Sequence, residues 1–261
     1  MNLLKNKIVF ITGASSGIGK ACAEVFAAEK ANLILAARRI DKLKKLSESL
    51  KKKHKIKVRY FQLDVRNLEE VKKSISSFEK EWKKIDILIN NAGLARGFSK
   101  IYEGDTVAWE EMIDTNIKGL LFVTREVLPF MVKRKKGHII NIGSIAGHEV
   151  YANGNVYCAT KFAVNALNQA IRIDVFDKNI KVSSVDPGMV ETEFSLVRFS
   201  GDKEKAKNVY TGLKPLAAFD IAQSVLFCAA QPPHININEI IITPTAQASA
   251  TLTNRRQKNS R

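Results

Sequence analysis

A chain of 261 residues with a net charge of +16 and only three scattered cysteines (Cys22, Cys158, Cys228) is long enough to bury a core without a disulfide or zinc staple, and reduced thiols are expected. No apolar run approaches the ~20 residues of a membrane span, and residues 1–6 lead straight into a strand pattern, so a soluble, cytoplasmic protein is expected. Lys42, Lys44, Lys45, Lys51, Lys52 and Lys53 lie along one amphipathic segment and read as a solvated helix face rather than a nucleic-acid surface; the net field still draws in anionic ligands.

Residues 7–11 form a short apolar run ending in glycines, as a buried parallel strand does. Ile18, Cys22, Val25 and Phe26 then recur at helical spacing, and residues 32–37 make a second strand. Leu43, Leu46 and Leu50 mark the next helix, residues 57–65 a third strand and 68–82 another helix. Strand 85–89, a long helix over 106–135, strand 138–142, a long helix over 155–176 and strand 180–185 follow. A helix near 220–230 and strand 239–242 close the pattern. Parallel strands need long right-handed crossovers, so this alternation predicts one doubly wound α/β domain over 1–250, helices on both faces of the sheet. Arg255, Arg256, Lys258 and Arg261 read as a disordered basic tail over 251–261.

Strand one runs into Thr12-Gly13-Ala14-Ser15-Ser16-Gly17-Ile18-Gly19 and then a helix. Glycines there permit a tight turn and close approach of a pyrophosphate to a helix N-terminus. Strand two ends in Ala36-Ala37 followed by Arg38 and Arg39. An acid at that place would hold a ribose 2′-hydroxyl, whereas guanidinium groups suit a 2′-phosphate, so NADP is the expected cofactor. Asp64, with Val65 beside it, is placed to accept a hydrogen bond from an adenine amino group, and Asn90-Asn91-Ala92-Gly93 offers small residues that lie beside a cofactor.

Ser144 follows the fifth strand, and Tyr157 and Lys161, four residues apart, share a helical face. A phenol near pKa 10 becomes a useful proton carrier at neutral pH only if nearby positive charge stabilises its anion. Lowering it by about three units takes roughly 4 kcal/mol of differential interaction.

In order and spacing these motifs resemble the short-chain dehydrogenase/reductase family over essentially the whole chain. The resemblance implies a seven-stranded Rossmann domain, usually a homotetramer or dimer, and a catalytic set of Asn116, Ser144, Tyr157 and Lys161. It places the cofactor on the glycine loop, at Arg38, Arg39, Asp64 and Val65, along Asn91-Ala92-Gly93, and on Tyr157 and Lys161. Pro187, Gly188, Val190 and Thr192 match its nicotinamide loop. Residues 35–39, 155–157, 192–199, 206–210 and 244–249, with Asp202, are most similar to the NADP-dependent 3-hydroxy acid dehydrogenases, which implies small anionic 3-hydroxy or 3-oxo acids as substrates and a covering segment over 192–215. A carboxylated substrate wants an arginine, for which Arg198 and Arg96 are candidates, and His148 is a further candidate for the pocket wall. A broad carbonyl or 3-oxoacyl reductase stays open, as does a binding protein that senses NADP or contacts nucleic acid. No metal is expected.

Overall fold

The computed structural model describes residues 4–256. Strand β1 (Ile8–Thr12) leads into α1 (Gly17–Ala28), β2 (Asn32–Ala37), α2 (Ile40–His54), β3 (Val58–Gln62) and α3 (Leu68–Ser76). Asn67 begins α3 by accepting the Glu70 N–H, which satisfies one of the orphan donors of its first turn. β4 (Ile87–Asn90) is followed by α4 (Thr106–Ile113), a π-helical turn at Asp114–Lys118, and α5 (Gly119–Arg134). β5 (Gly137–Ile142), α6 (Asn155–Val175) and β6 (Ile180–Pro187) complete the second half of the sheet. Two short strands, β7 (Val190–Glu191) and β8 (Leu216–Ala217), pair with one another and bracket α7 (Phe194–Arg198) and α8 (Lys203–Asn208). α9 (Ala218–Ala230) then leads to β9 (Glu239–Ile242).

The sheet order is β3-β2-β1-β4-β5-β6-β9, and every pairing in it is parallel. Side chains of the central strands alternate between two cores. Val9, Ile11, Leu33, Leu35, Ile87 and Ile89 pack with residues of α1, α2 and α9. Phe10, Ile34, Ala36 and Leu88 face the opposite way, into residues of α3, α5 and α6. Burial on both faces is why these strands read as continuous apolar runs, and each large side chain so buried contributes roughly 1.5–3 kcal/mol. The expected α/β class and parallel sheet with helices on both faces are therefore what the chain adopts.

Three expectations change. The helix expected over 106–135 is interrupted by the π-helical turn that carries Asn116, and the one expected over 68–82 stops at Ser76. The basic tail departs more. Arg255 donates to the Val209 and Thr211 carbonyls, the Arg256 N–H to Gly212, and Asn254 N–H to Ala246, so residues up to 256 fold back onto the covering segment. Their backbone and guanidinium donors find unpaired carbonyls there, which a one-dimensional reading cannot see. Lys258 and Arg261 lie outside the described residues.

Candidate functional site

The carboxyl ends of the strands open into one cleft of about 770 Å³. Reversal of the strand order between β1 and β4 makes this the expected crevice of a doubly wound sheet. At its floor Thr12 Oγ accepts the N–H groups of Asn91 and Ala92, both at 3.0 Å. Asn91 returns its side-chain amide to the Thr12 carbonyl at 2.9 Å and that of Gly13 at 3.2 Å. The glycine loop and the Asn-Asn-Ala-Gly turn are thus one braced unit. Gly13 (φ +64°) and Gly17 (φ +52°) occupy the left-handed region, and a Cβ on Gly13 would stand 2.8 Å from Asn91 Nδ2. Ser16 leads into α1 without capping it, so first-turn N–H groups have no side-chain acceptor there. Gly19 faces away from the cleft and packs against Asn91 and the Gly13 carbonyl.

Beyond the loop, Arg39 donates to Ser15 Oγ (3.2 Å) and Ser16 Oγ (2.5 Å) and ion-pairs with Glu193 at 2.7 Å, while Lys42 reaches the other Glu193 oxygen at 2.9 Å. Those two cations hold the Glu193 carboxyl down to about 2. Arg38 lies 3.7 Å from Glu111, an acid that also pairs with Arg66 and Arg96. Burial alone would raise Asp64, but hydrogen bonds from Arg66 outweigh it and keep that carboxyl below its usual range. Ser15, Ser16, Arg38 and Arg39 line the cleft at the end of β2 and suit a phosphate, although Glu193 occupies Arg39 and Lys42 in this structure.

The second set sits where β5 meets α6. Lys161 is buried, and its Nζ donates to the Ile142 carbonyl at 2.9 Å. Burial lowers it to about 8, with the carboxylate of Asp186 opposing that shift. Ser144 Oγ accepts the Ala146 N–H at 3.1 Å and faces the Pro187 carbonyl at 3.4 Å. The lowering expected for the Tyr157 phenol is not found: burial raises it, and Arg198 and Ser144 only partly oppose that. Asn116 does not line the cleft. Its amide is bonded to both backbone groups of Leu94 and to Thr160, and its Oδ1 and Lys161 Nζ both face the space that a side chain on Gly93 would fill.

From above, α7 brings Arg198 over the Tyr157 ring, its guanidinium carbon 4.9 Å from the ring centre and 5.2 Å from that of Phe194. Arg96 is occupied by Glu111 and the Val197 carbonyl. His148 points away, its Nε2 2.7 Å from Asp186. Of the three side chains considered for the substrate, only Arg198 enters the cleft.

The short chain dehydrogenase family pattern matches residues 7–202 of this chain. The chain belongs to the short chain dehydrogenase family. This family member is 43% identical over 258 residues to the NADP-dependent 3-hydroxy acid dehydrogenase of Schizosaccharomyces pombe, covering 98% of this chain and 100% of that protein. It is 40% identical over 243 residues to serine 3-dehydrogenase of Rhizobium radiobacter, covering 93% and 95%. Among solved structures, the closed form of serine dehydrogenase complexed with NADP+ superposes with a TM-score of 0.89 at 41% identity, covering 96% of this chain and 100% of that one.

In this short chain dehydrogenase several site residues escape a motif reading. A buried amide ladder holds α6 in place: Asn90 donates to Thr124 (2.9 Å) and Asn141 (3.0 Å), and Asn141 donates to Asn168 (2.9 Å). Asparagines inside strands that should be wholly apolar were the available signal. Gln247, in the matched C-terminal stretch, is buried and accepts the Met189 N–H at 2.8 Å, which pins the loop after Pro187-Gly188. Glu193 and Tyr151 are visible only in three dimensions.

Proposed function

We propose that this chain transfers a hydride between NADP and the hydroxyl-bearing carbon of small 3-hydroxy acids of the serine, L-allo-threonine and 3-hydroxypropionate type, interconverting them with the 3-oxo acids or semialdehydes. The observation that carries this reading is Arg198: it stands over Tyr157 with no carboxylate partner among the described residues, whereas Arg38, Arg39, Arg66 and Arg96 all have one. A half-buried cation with no carboxylate partner at the mouth of a site favours an anionic ligand. Names of the relatives support the same substrates, and the Arg39–Ser15–Ser16 cradle supports the phosphate that distinguishes NADP.

NADP, when bound, supplies the hydride acceptor or donor. Tyr157 gives its proton to the carbonyl oxygen during reduction; in oxidation, ionised beside the charges of Lys161 and Arg198, it takes the proton back from the substrate hydroxyl. Ser144 Oγ holds that oxygen beside the Tyr157 phenol, both residues lining the cleft. Lys161, an ammonium below about pH 8, adds positive charge beside a phenol that burial otherwise keeps protonated. Asn116, bonded to both backbone groups of Leu94 and to Thr160, braces the start of α6 beside Lys161. A sensor or nucleic-acid-binding protein would have no use for this arrangement.

Two apolar faces support a homotetramer with dihedral symmetry. Leu121, Phe162, Ile173 and Phe176 are exposed on and just after α5 and α6, and Phe219, Phe227, Ile235 and Ile241 on and around α9 and β9. No helix among the described residues is long and apolar enough to cross a membrane, and the three free cysteines are buried; both accord with a cytoplasmic site of action.

The test is initial-rate kinetics. Serine and 3-hydroxypropionate should reduce NADP far faster than NAD, with kcat/KM above that for propan-2-ol, and Tyr157→Phe should lower kcat about a thousandfold. Equal rates on neutral alcohols would instead make the protein a broad carbonyl reductase.

A further inference from the structure

Tyr151 lies six residues before Tyr157 in the loop that leads to α6, and no motif marks it. Its ring is fixed on two sides. Phe98 stacks on it at 6.4 Å between centroids, and Gly154 lies so close that any Cβ there would overlap the ring. The hydroxyl points at the covering segment and accepts a hydrogen bond from Arg198 Nη2 at 2.7 Å. Burial raises this phenol above its ordinary value, with Arg198 only partly opposing, so the hydroxyl keeps its proton.

Donor and acceptor bookkeeping then becomes informative. A phenol offers one O–H and accepts through its lone pairs. The acceptor side of Tyr151 is taken by Arg198, yet among the described residues nothing accepts its proton. Arg198 spends only Nη2, and its Nη1 makes no hydrogen bond among the described residues. A phenol O–H and a guanidinium N–H therefore remain unspent on two bonded residues that line the cleft with Ser144 and Tyr157. A neutral ketone has one oxygen, which the reaction places at Ser144 and Tyr157; a carboxylate brings two further oxygens for these donors.

We propose that Tyr151 and Arg198 form a two-donor clamp for the substrate carboxylate, and that the Tyr151 hydroxyl is the specificity-determining group that sets its orientation. The clamp rests on the 3-hydroxy acid reading above. Arg198 supplies charge, which any anion would feel. Tyr151, tied to Arg198 on one side and to the rigid start of α6 on the other, supplies direction. It thereby fixes which carbon of the acid presents its oxygen to Ser144 and Tyr157.

Tyr151→Phe keeps the ring, its stacking and its contact with Arg198, and removes only the hydroxyl. The KM for 3-hydroxypropionate should rise about tenfold, the usual cost of one hydrogen bond to a charged group, with kcat falling much less. Malonate, a dicarboxylate of similar length used as a competitive inhibitor, should lose affinity by a similar factor. The ratio of kcat/KM for 3-hydroxypropionate to that for propan-2-ol should drop in step. An unchanged KM and malonate affinity would overturn the clamp, as would equal losses on acid and alcohol, because then Tyr151 only braces the loop. Wild-type enzyme without preference for acids would overturn the functional reading itself, and the clamp with it, before the variant is measured.

Discussion

Lys161 shows at the residue scale how a site costs stability. Its burial lowers the ammonium from 10.5 to about 8, a shift worth about 3 kcal/mol. Because the folded value lies below the unfolded one, the unfolded chain binds the extra proton between those values. The cost is therefore full below about pH 8 and fades as pH rises toward 10.5. Lys161→Met removes the charge at nearly constant length and forfeits one hydrogen bond to Ile142, worth about 1 kcal/mol. The variant should be more stable than wild type by about 1–2 kcal/mol at pH 7, with the gain shrinking toward pH 10, while turnover collapses. Urea unfolding at the two pH values measures this; a variant less stable at pH 7 would mean that the hydrogen bond and packing of Lys161 outweigh its desolvation.

At the scale of elements, the active face is assembled from a rigid part and an added part. The rigid part is the row of strand ends with α6, held by the Asn90–Asn141–Asn168 ladder. The added part runs from β7 to β8, and its helices are only five and six residues long, too short to persist without tertiary support. Support comes from Ser195 and Tyr210, 2.7 Å apart, and from Arg255, whose guanidinium clasps the Val209 and Thr211 carbonyls. Arg255→Ala should therefore loosen the covering segment without unfolding the sheet. Hydrogen exchange in residues 203–212 should accelerate about tenfold, the equivalent of one or two such bonds, with exchange in β1 and β4 unchanged. Acceleration spread over the whole chain would show that Arg255 supports the domain and not this segment.

For the whole molecule, the charge of +16 matters through its field. Long-range attraction of an anionic cofactor is screened once the Debye length shrinks from roughly 10 Å at 0.1 M salt to about 3 Å at 1 M. The KM for NADP should therefore rise several-fold between these salt concentrations, and more steeply than that for NAD, which lacks the 2′-phosphate. Parallel slopes for the two cofactors would mean that the Arg38–Arg39 end contributes no charge-specific binding. The apolar faces on α5–α6 and α9–β9 should respond oppositely, since salt does not weaken hydrophobic burial, and the proposed tetramer should sediment as such at both concentrations.

Local chemistry and period were enough to read the alternating strands and helices, the parallel class, the glycine loop and the basic end of β2, while the Ser144, Tyr157 and Lys161 set was read from their order along the chain and the family resemblance. Each depends on neighbours within a few residues or on a helical repeat, which a linear chain displays directly. The π-helical turn under Asn116, the engagement of Arg96 by Glu111, the turning away of His148 toward Asp186, and the docking of residues up to 256 were decided only by tertiary structure. So was the meeting of Tyr151 with Arg198, 47 positions apart. Which donor finds which acceptor across such separations depends on how the layers close around the sheet, and nothing in the local pattern of either residue encodes its partner.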